Sequence, residues 1–284
     1  MTAADIPAGL RLCRASGWNQ LAIDWERFLA MSPSGCRVAL DHEGDVVGTV
    51  ATVRYGRAFA WIAMVLVDPG HRRAGIGTRL LKEALHLVAD VPAIRLDATP
   101  AGSRVYEPAG FREEYHLQRM QRPAATPYVV SGFSRTTTGS NRTNVRLMTD
   151  GDLDDVFAWD KHVFGADRSS LLHSFRRQAP TYAWIAGERD IEGYTFGRSG
   201  HAFEHLGPVI ARSEDAARQL VGACLEAHHG RPFIIDVVMN STWITWLESI
   251  GFGVQRPFIR MFRGDPPRDE RPQHAFAIAG PEFG

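Results

Sequence analysis

Cysteine is scarce in this 284-residue chain: Cys13, Cys36 and Cys224 are odd in number and far apart. That pattern excludes a disulfide framework and the paired thiols of a zinc site, and it points to a reducing cytoplasm. Net charge is lacking as well. Thirty-two basic and thirty-two acidic side chains cancel, so no global field draws nucleic acid or an anionic membrane, and any anion site must be local. Long apolar runs are missing too: the longest, Ala58 to Val67, falls well short of the ~20 residues that span a bilayer. The first residues show no basic segment leading into an apolar core, so neither secretion nor membrane insertion is expected. Asn141-Arg142-Thr143 then matches a glycosylation acceptor by coincidence. No metal is expected either, since His228-His229 before Gly230 read as a helix end facing its dipole rather than as ligands.

What is present is apolar text in quantity. With 44% hydrophobic and 23% charged residues the chain can bury a substantial core, and at roughly 100 to 200 residues per domain its length suggests two domains. Composition shifts once, at residues 123–144, PAATPYVVSGFSRTTTGSNRTN, where Pro, Ser, Thr and Gly favour turns. This stretch reads as a linker, with YVV as a short strand, between domains at 1–122 and 145–284. The text on its two sides repeats. GFREEYHLQRM (Gly110 to Met120) and GFGVQRPFIRM (Gly251 to Met261) share Gly-Phe and, at one offset, Arg-Met; upstream of them AIRLD reaches Asp97 and FIIDVV contains Asp236.

Each copy opens with a strand-like segment, LRLCRA near Leu10 and VRLMT near Val145. In the first copy CRVALDHEGDVVGTVATVRY alternates around a turn at His42 to Asp45, as a hairpin does. WIAMVLV reads as a buried strand. TRLLKEALHLV places Leu80, Leu81, Leu85 and Val88 on one helical face. IRLDAT is a further strand, and SRVYEPAGF a short helix closed by Gly110. HAFAIAG, after an exposed DPPRDERPQ extension, can return as a strand. The fold class is α/β (α+β), with mixed sheets flanked by helices.

Between the buried strand and the amphipathic helix stands DPGHRRAGIGTRLL (Asp68 to Leu81). A Walker loop fails here, because Ile76-Gly77 occupies the Lys-Ser/Thr positions. A dinucleotide loop is a poorer fit, because Leu80 takes the place of the third glycine and Gly75 comes eight positions after Val67. The uncapped helix start, with glycines that keep side chains off the backbone, is itself an anion site. The run Val67-Asp68-Pro69-Gly70-His71-Arg72-Arg73-Ala74-Gly75-Ile76-Gly77 resembles the acyl-CoA loop of the GCN5-related N-acetyltransferases (GNAT).

The resemblance implies acetyl-CoA as co-substrate, held by Leu66, Val67, Arg72, Arg73, Ala74, Gly75, Ile76, Gly77 and Thr78. It implies that Tyr106, five residues before the Phe of Gly110-Phe111, protonates the departing sulfur, as a phenol of pKa ~10 can. It also assigns the backbone N–H of Leu66 or Val67 to the thioester carbonyl. Thr99 departs from the pattern, which often has asparagine there. An amine nucleophile must lose a proton, and Asp97 is a candidate base, with Glu107, a histidine or a water relay as alternatives. The implied activity is acetyl transfer to an amine of a small molecule or peptide; the competing reading is an acyl-CoA-binding regulator without turnover.

The second copy has Ser213, Glu214 and Asp215 where the first has its Gly-x-Gly, and Leu247 at the place of Tyr106. Serine followed by acids caps a helix internally and repels a pyrophosphate. This half resembles the degenerate C-terminal domain of bacterial tandem acetyltransferases, including FGADRSSLL and GPVIA (Phe164 to Leu172, Gly207 to Ala211). Its expected role is to help form the acceptor pocket, with Asp236 selecting a cationic amine, or else a purely structural one; Trp243 and Trp246 either stack a substrate or, the favoured reading, pack on the sheet.

Overall fold

Ile6, Gly9, Leu12 and Cys13 recur at helical spacing and are buried together, so the first segment is helix α1 (Ile6–Ala15), opened by Pro7, and not the strand expected near Leu10. The computed structural model describes residues 1–124, 144–188, 190–265 and 272–284. After α1 come α2 (Ala22–Met31) and the hairpin β1 (Cys36–Leu40) and β2 (Val46–Tyr55). Its turn is held by the Asp41 carboxylate, which accepts from the N–H groups of Glu43 and Asp45. β3 (Phe59–Val67), α3 (Ile76–Leu87), β4 (Ala93–Ala98), α4 (Pro100–Tyr106) and β5 (Arg112–Arg122) complete the first half.

The second half runs β6 (Val145–Leu147), α5 (Leu153–Phe164), α6 (Ser169–Gln178), β7 (Trp184–Ala186), β8 (Gly193–Arg198), β9 (Glu204–Ala211), α7 (Glu214–Ala227), β10 (Phe233–Val238), α8 (Ser241–Ser249), β11 (Gly253–Gly264) and β12 (Ala275–Ala277). The expected return of HAFAIAG is β12, paired antiparallel with β9. Most of the linker, with its YVV strand, lies outside the described residues.

The halves do not form separate sheets. The strand order is β1-β2-β3-β4-β11-β5-β10-β9-β8-β7-β6, so the last long strand of each half lies inside the other. β11 separates β4 from β5, pairing with β4 from Ile259↔Ala98 to Gly264↔Ala93, and β5 pairs with β10 from Phe233↔Arg122 to Val238↔Leu117. The pairing is mostly antiparallel, with β3–β4 and β9–β10 parallel.

The repeated Arg-Met of the sequence explains how the exchange is locked. Arg119 on β5 donates to both carboxylate oxygens of Asp236 on β10, at 2.7 and 2.8 Å. Arg260 on β11 donates to both oxygens of Asp97 on β4, at 2.8 and 2.9 Å. Each half therefore supplies the arginine for the other half's aspartate. Helices α1, α2, α5 and α6 share one core with β2, β3 and β8, containing Trp25, Phe28, Tyr55, Trp61, Phe164 and Phe175. The C-terminal tail enters it: Phe283 stacks on Phe28 at 4.8 Å, Tyr55 Oη donates to Phe283 C=O, and Trp61 Nε1 donates to Pro281 C=O.

Candidate active site

β3 and β4 pair only at Ala60↔Ile94 and Trp61↔Arg95 and then diverge. On the other side of β3 the register with β2 shifts, leaving a bulge at Met64, whose φ is 55° and whose carbonyl accepts from Thr49 Oγ1 at 2.8 Å. Beyond the bulge Asp68 N–H donates to Val47 C=O. Amides alternate along an antiparallel ladder, so Leu66 directs its N–H towards β2, whereas the Val67 N–H turns to the opening between β3 and β4.

The loop after β3 is braced from within. Asp68 accepts from Gly70 N–H and from Arg11 Nη1, both at 2.9 Å, and Arg72 Nε donates to Val67 C=O. Arg73 (φ 66°) and Gly75 (φ 77°) are left-handed, which folds the chain tightly into α3. Gly75 is the N-cap and no side chain caps the helix, so the first-turn amides of α3 have no partner from that residue. Arg72, Arg73, Ala74, Gly75 and Thr78 are exposed around it, with Ile76 and Gly77 half-buried. A Cβ on Gly77 would meet only Val67 Cγ2, at an ordinary 3.6 Å, so the protein itself does not require glycine there. α7 is the reverse case: Ser213 Oγ accepts from Ala216 N–H, and Glu214 and Asp215 occupy the first turn.

Between the diverging strands lies a cavity of about 130 Å³. One end is formed by Ile62 to Val65 on β3, Leu96 to Ala98 on β4, Thr99, Gly102 and Tyr106. Thr99 is the N-cap of α4, its hydroxyl accepting from Gly102 N–H at 3.1 Å. Tyr106 is half-buried and packs edge-on against Phe111. Loss of water around its phenol pushes the pKa up to about 12, so it holds its proton throughout the neutral range. The other end is formed by Trp18, Gln20, Arg119, Arg256, Phe258, Pro281 and Glu282. Four of these come from the C-terminal half: Arg256 and Phe258 on β11, which runs on past the end of β4, and Pro281 and Glu282 from the tail.

Four expected site residues are elsewhere engaged. The Asp97 side chain is fully buried in its pair with Arg260, so both oxygens are used and it is not a free base. Asp236 is likewise fully buried, held by Arg119 with His205 Nε2 3.0 Å away, and that pairing keeps its carboxyl well below the ordinary carboxylate range. It has no charge to offer a ligand. Trp243 is fully buried, donates from Nε1 to Phe276 C=O, and stacks on Trp246 at 4.8 Å. Trp246 is half-buried beneath the Arg218 guanidinium, at a shallow depression lined by α8 rather than at the cavity. Both tryptophans pack the second half. Glu107 is exposed on the turn after α4.

Gln20, Arg256 and Glu282 carry polar chemistry at the second end, and no local pattern marks them: they line one cavity only because the loop between α1 and α2, β11 and the tail converge. Among the described residues no group of three or more His, Cys, Asp and Glu side chains is arranged to hold a metal ion. Nor is any described helix long and apolar enough to cross a membrane.

Known proteins share this arrangement. Residues 11–111 match the acetyltransferase (GNAT) family and residues 156–277 match the acetyltransferase (GNAT) domain. The uncharacterized N-acetyltransferase YitH of Bacillus subtilis (strain 168) is 28% identical over 242 residues, covering 82% of this chain and 79% of its own. The holothin acyltransferase of Pseudoalteromonas sp. (strain SANK 73390) is 24% identical over 95% of this chain and 88% of its own. Among solved structures, a candidate acetyltransferase from Pyrococcus horikoshii superposes with a TM-score of 0.79 at 22% identity, covering 100% of this chain and 94% of that one. A tandem GNAT protein from the clavulanic acid biosynthesis pathway gives 0.60 at 18% identity, covering 88% and 90%. At these identities the structures speak for the fold alone.

Proposed function

Because this chain belongs to the GNAT acetyltransferases, as a tandem protein with a GNAT unit in each half, we propose that it moves an acetyl group from acetyl-CoA to an amine, using one acyl-CoA site per chain, in the N-terminal half. The observation that carries this reading is the uncapped, glycine-opened α3 beside a split sheet whose cavity is lined by Tyr106, against a capped and acidic α7 in the other half. Acetyl-CoA supplies an acyl carbon with a thiolate leaving group. First-turn N–H groups of Ile76, Gly77 and Thr78 would hold its pyrophosphate, each hydrogen bond to a charged oxygen contributing ~1.5 to 3 kcal/mol against ~0.3 to 1 from the helix dipole. Arg72 and Arg73 add positive charge at the surface.

The Val67 N–H, which the ladder turns into the opening, would donate to the thioester oxygen as charge grows there. As the amine nitrogen bonds the acyl carbon the C–S bond breaks, its electron pair passing to sulfur and Tyr106 giving that sulfur a proton. The proton released by the amine leaves through water in the cavity. The amine class is supported by the name of the Bacillus subtilis relative, an N-acetyltransferase, and the cytoplasm by the three buried free thiols.

The test is thiol release from acetyl-CoA across a panel of primary amines, with the acylated product identified by mass. Stoichiometric release with an N-acetyl product is expected. Tight acetyl-CoA binding with no release in any amine would favour the regulator without turnover.

A further inference from the structure

At the second end of the cavity stands an arginine with no described carboxylate partner. Six of the buried arginines, Arg27, Arg95, Arg119, Arg168, Arg198 and Arg260, each face a carboxylate: Asp24, Glu114, Asp236, Asp160, Glu282 and Asp97. Arg256 lines the cavity half-buried, and its one described hydrogen bond is from Nη2 to the Gly17 carbonyl at 3.2 Å. It stands opposite Arg119 in the β5–β11 register, and Asp236, in the same row on β10, is already held by Arg119. Glu282 is committed to Arg198. Burial and then the Arg119 charge both push the Arg256 guanidinium below its ordinary value, a deficit that a bound anion would cancel.

Gln20, 6% exposed, lines the same cavity, yet no described group bonds its side-chain amide, and Oε1 is sealed from solvent without a donor. Buried amides in a finished core are satisfied. An unbonded amide and a guanidinium without a described carboxylate partner, lining one cavity, are both groups that a polar ligand completes. The third polar group there is Glu282, a carboxylate that the Arg198 pairing keeps below the ordinary range.

Resting on the acyl-transfer reading above, we infer that the acceptor is a primary amine that also bears a carboxylate, with Arg256 taking the carboxylate and Gln20 hydrogen-bonding the acceptor near its amine. The Arg256 guanidinium and the Gln20 amide oxygen, in a cavity of about 130 Å³, suit a small amino acid: the cation meets its carboxylate and the oxygen accepts from its amine N–H. The planar guanidinium fork suits a carboxylate, which it can meet with two parallel hydrogen bonds. Expectation had given this role to Asp236 and to a purely cationic amine. The charged side chain that lines the cavity without a described carboxylate partner is instead basic.

The experiment pairs acids with amides. The full-length protein is assayed for thiol release with L-amino acids, ω-amino acids and dipeptides, each beside its own carboxamide, and acetyl-CoA affinity is measured by calorimetry in the same preparations. Acids should outperform their carboxamides by about 10- to 100-fold in kcat/KM, the value of one charge-assisted hydrogen bond. Arg256→Gln should abolish that preference while binding acetyl-CoA as the parent does, and Gln20→Leu should raise KM for the preferred acid with acetyl-CoA affinity kept. Equal use of acids and carboxamides, an unaltered preference in Arg256→Gln, or a wholly inert panel with acetyl-CoA bound would overturn the inference and leave the acyl-CoA site standing. Failure to bind acetyl-CoA at all would instead remove the reading on which it rests.

Discussion

Arg260→Met removes one half of the reciprocal lock at nearly constant side-chain length. In the native protein the guanidinium is 4% exposed, donates twice to Asp97 and once to Tyr115 Oη, and lies 4.7 Å over the Trp61 ring. The methionine can refill the apolar contact, but it leaves the Asp97 carboxylate fully buried with no cation. Breaking a buried pair from one side costs about 3–5 kcal/mol, a large part of the about 5–15 kcal/mol that holds a typical domain. Burial already pushes the Asp97 carboxyl up, and Arg260 is the main influence opposing it. Without that arginine the folded pKa stands further above the unfolded value of about 3.9. The protonated form then favours folding: its benefit is present below that pH and is lost as pH rises through the folded pKa. Urea unfolding followed by tryptophan fluorescence should therefore show a deficit for Arg260→Met that is largest at pH 7 and shrinks towards pH 5. Adding Asp97→Asn should recover roughly 1–3 kcal/mol, the coupling expected for groups in direct contact. A deficit under about 1 kcal/mol, or a double variant no more stable than Arg260→Met, would refute the view that these pairs lock the strand exchange.

Four-way interleaving of β4, β11, β5 and β10 also predicts that a chain ending at residue 124 does not fold, because β4 loses one of its two neighbours and β5 loses both; a sharp thermal transition in that fragment would contradict this. Asp236→Asn should destabilise by about 3–5 kcal/mol by stranding Arg119, with acetyl-CoA affinity kept in the folded fraction. Since the Asp236 pKa is depressed in the fold, its contribution is complete above about pH 4 and is lost as pH falls through the folded value, which acid titration of the parent and variant should reveal. Tyr106→Phe should leave acetyl-CoA affinity intact and lower turnover by ~10²- to 10⁴-fold; with its pKa at about 12, an alkaline limb near pH 8 or 9 that vanishes in Tyr106→Phe would be inconsistent with the desolvated phenol described.

The loop before α3 was legible because its chemistry is local: strand, Arg-Arg-x-Gly-x-Gly and helix are consecutive, and the left-handed Gly75 is a property of that residue. Ser213 as the cap of α7 was legible for the same reason. Near Leu10 the text LRLCRA shows a two-residue alternation over a short window, and the helical recurrence of Ile6, Gly9, Leu12 and Cys13 needs a longer one. The repeated Arg-Met and the strand-end aspartates were visible in sequence, but their meaning was not. Arg119 with Asp236 and Arg260 with Asp97 become partners only when β5 and β11 cross between halves, a non-local event that made both aspartates look available for chemistry. The second end of the cavity was hidden for a related reason: Gln20, Arg256 and Glu282 are separated by more than 200 residues at the extremes and share no motif.

Calorimetric titration of acetyl-CoA into the parent protein and into Gly77→Glu tests the proposed site most directly. Gly77 is preferable to Gly75 because its backbone is not left-handed and a Cβ there meets only Val67 at 3.6 Å, so the fold should survive while a carboxylate is placed at the uncapped amides of α3. The account predicts one site per chain in the parent and none in the folded variant. Two equivalent sites in the parent, or undiminished affinity in Gly77→Glu, would contradict it.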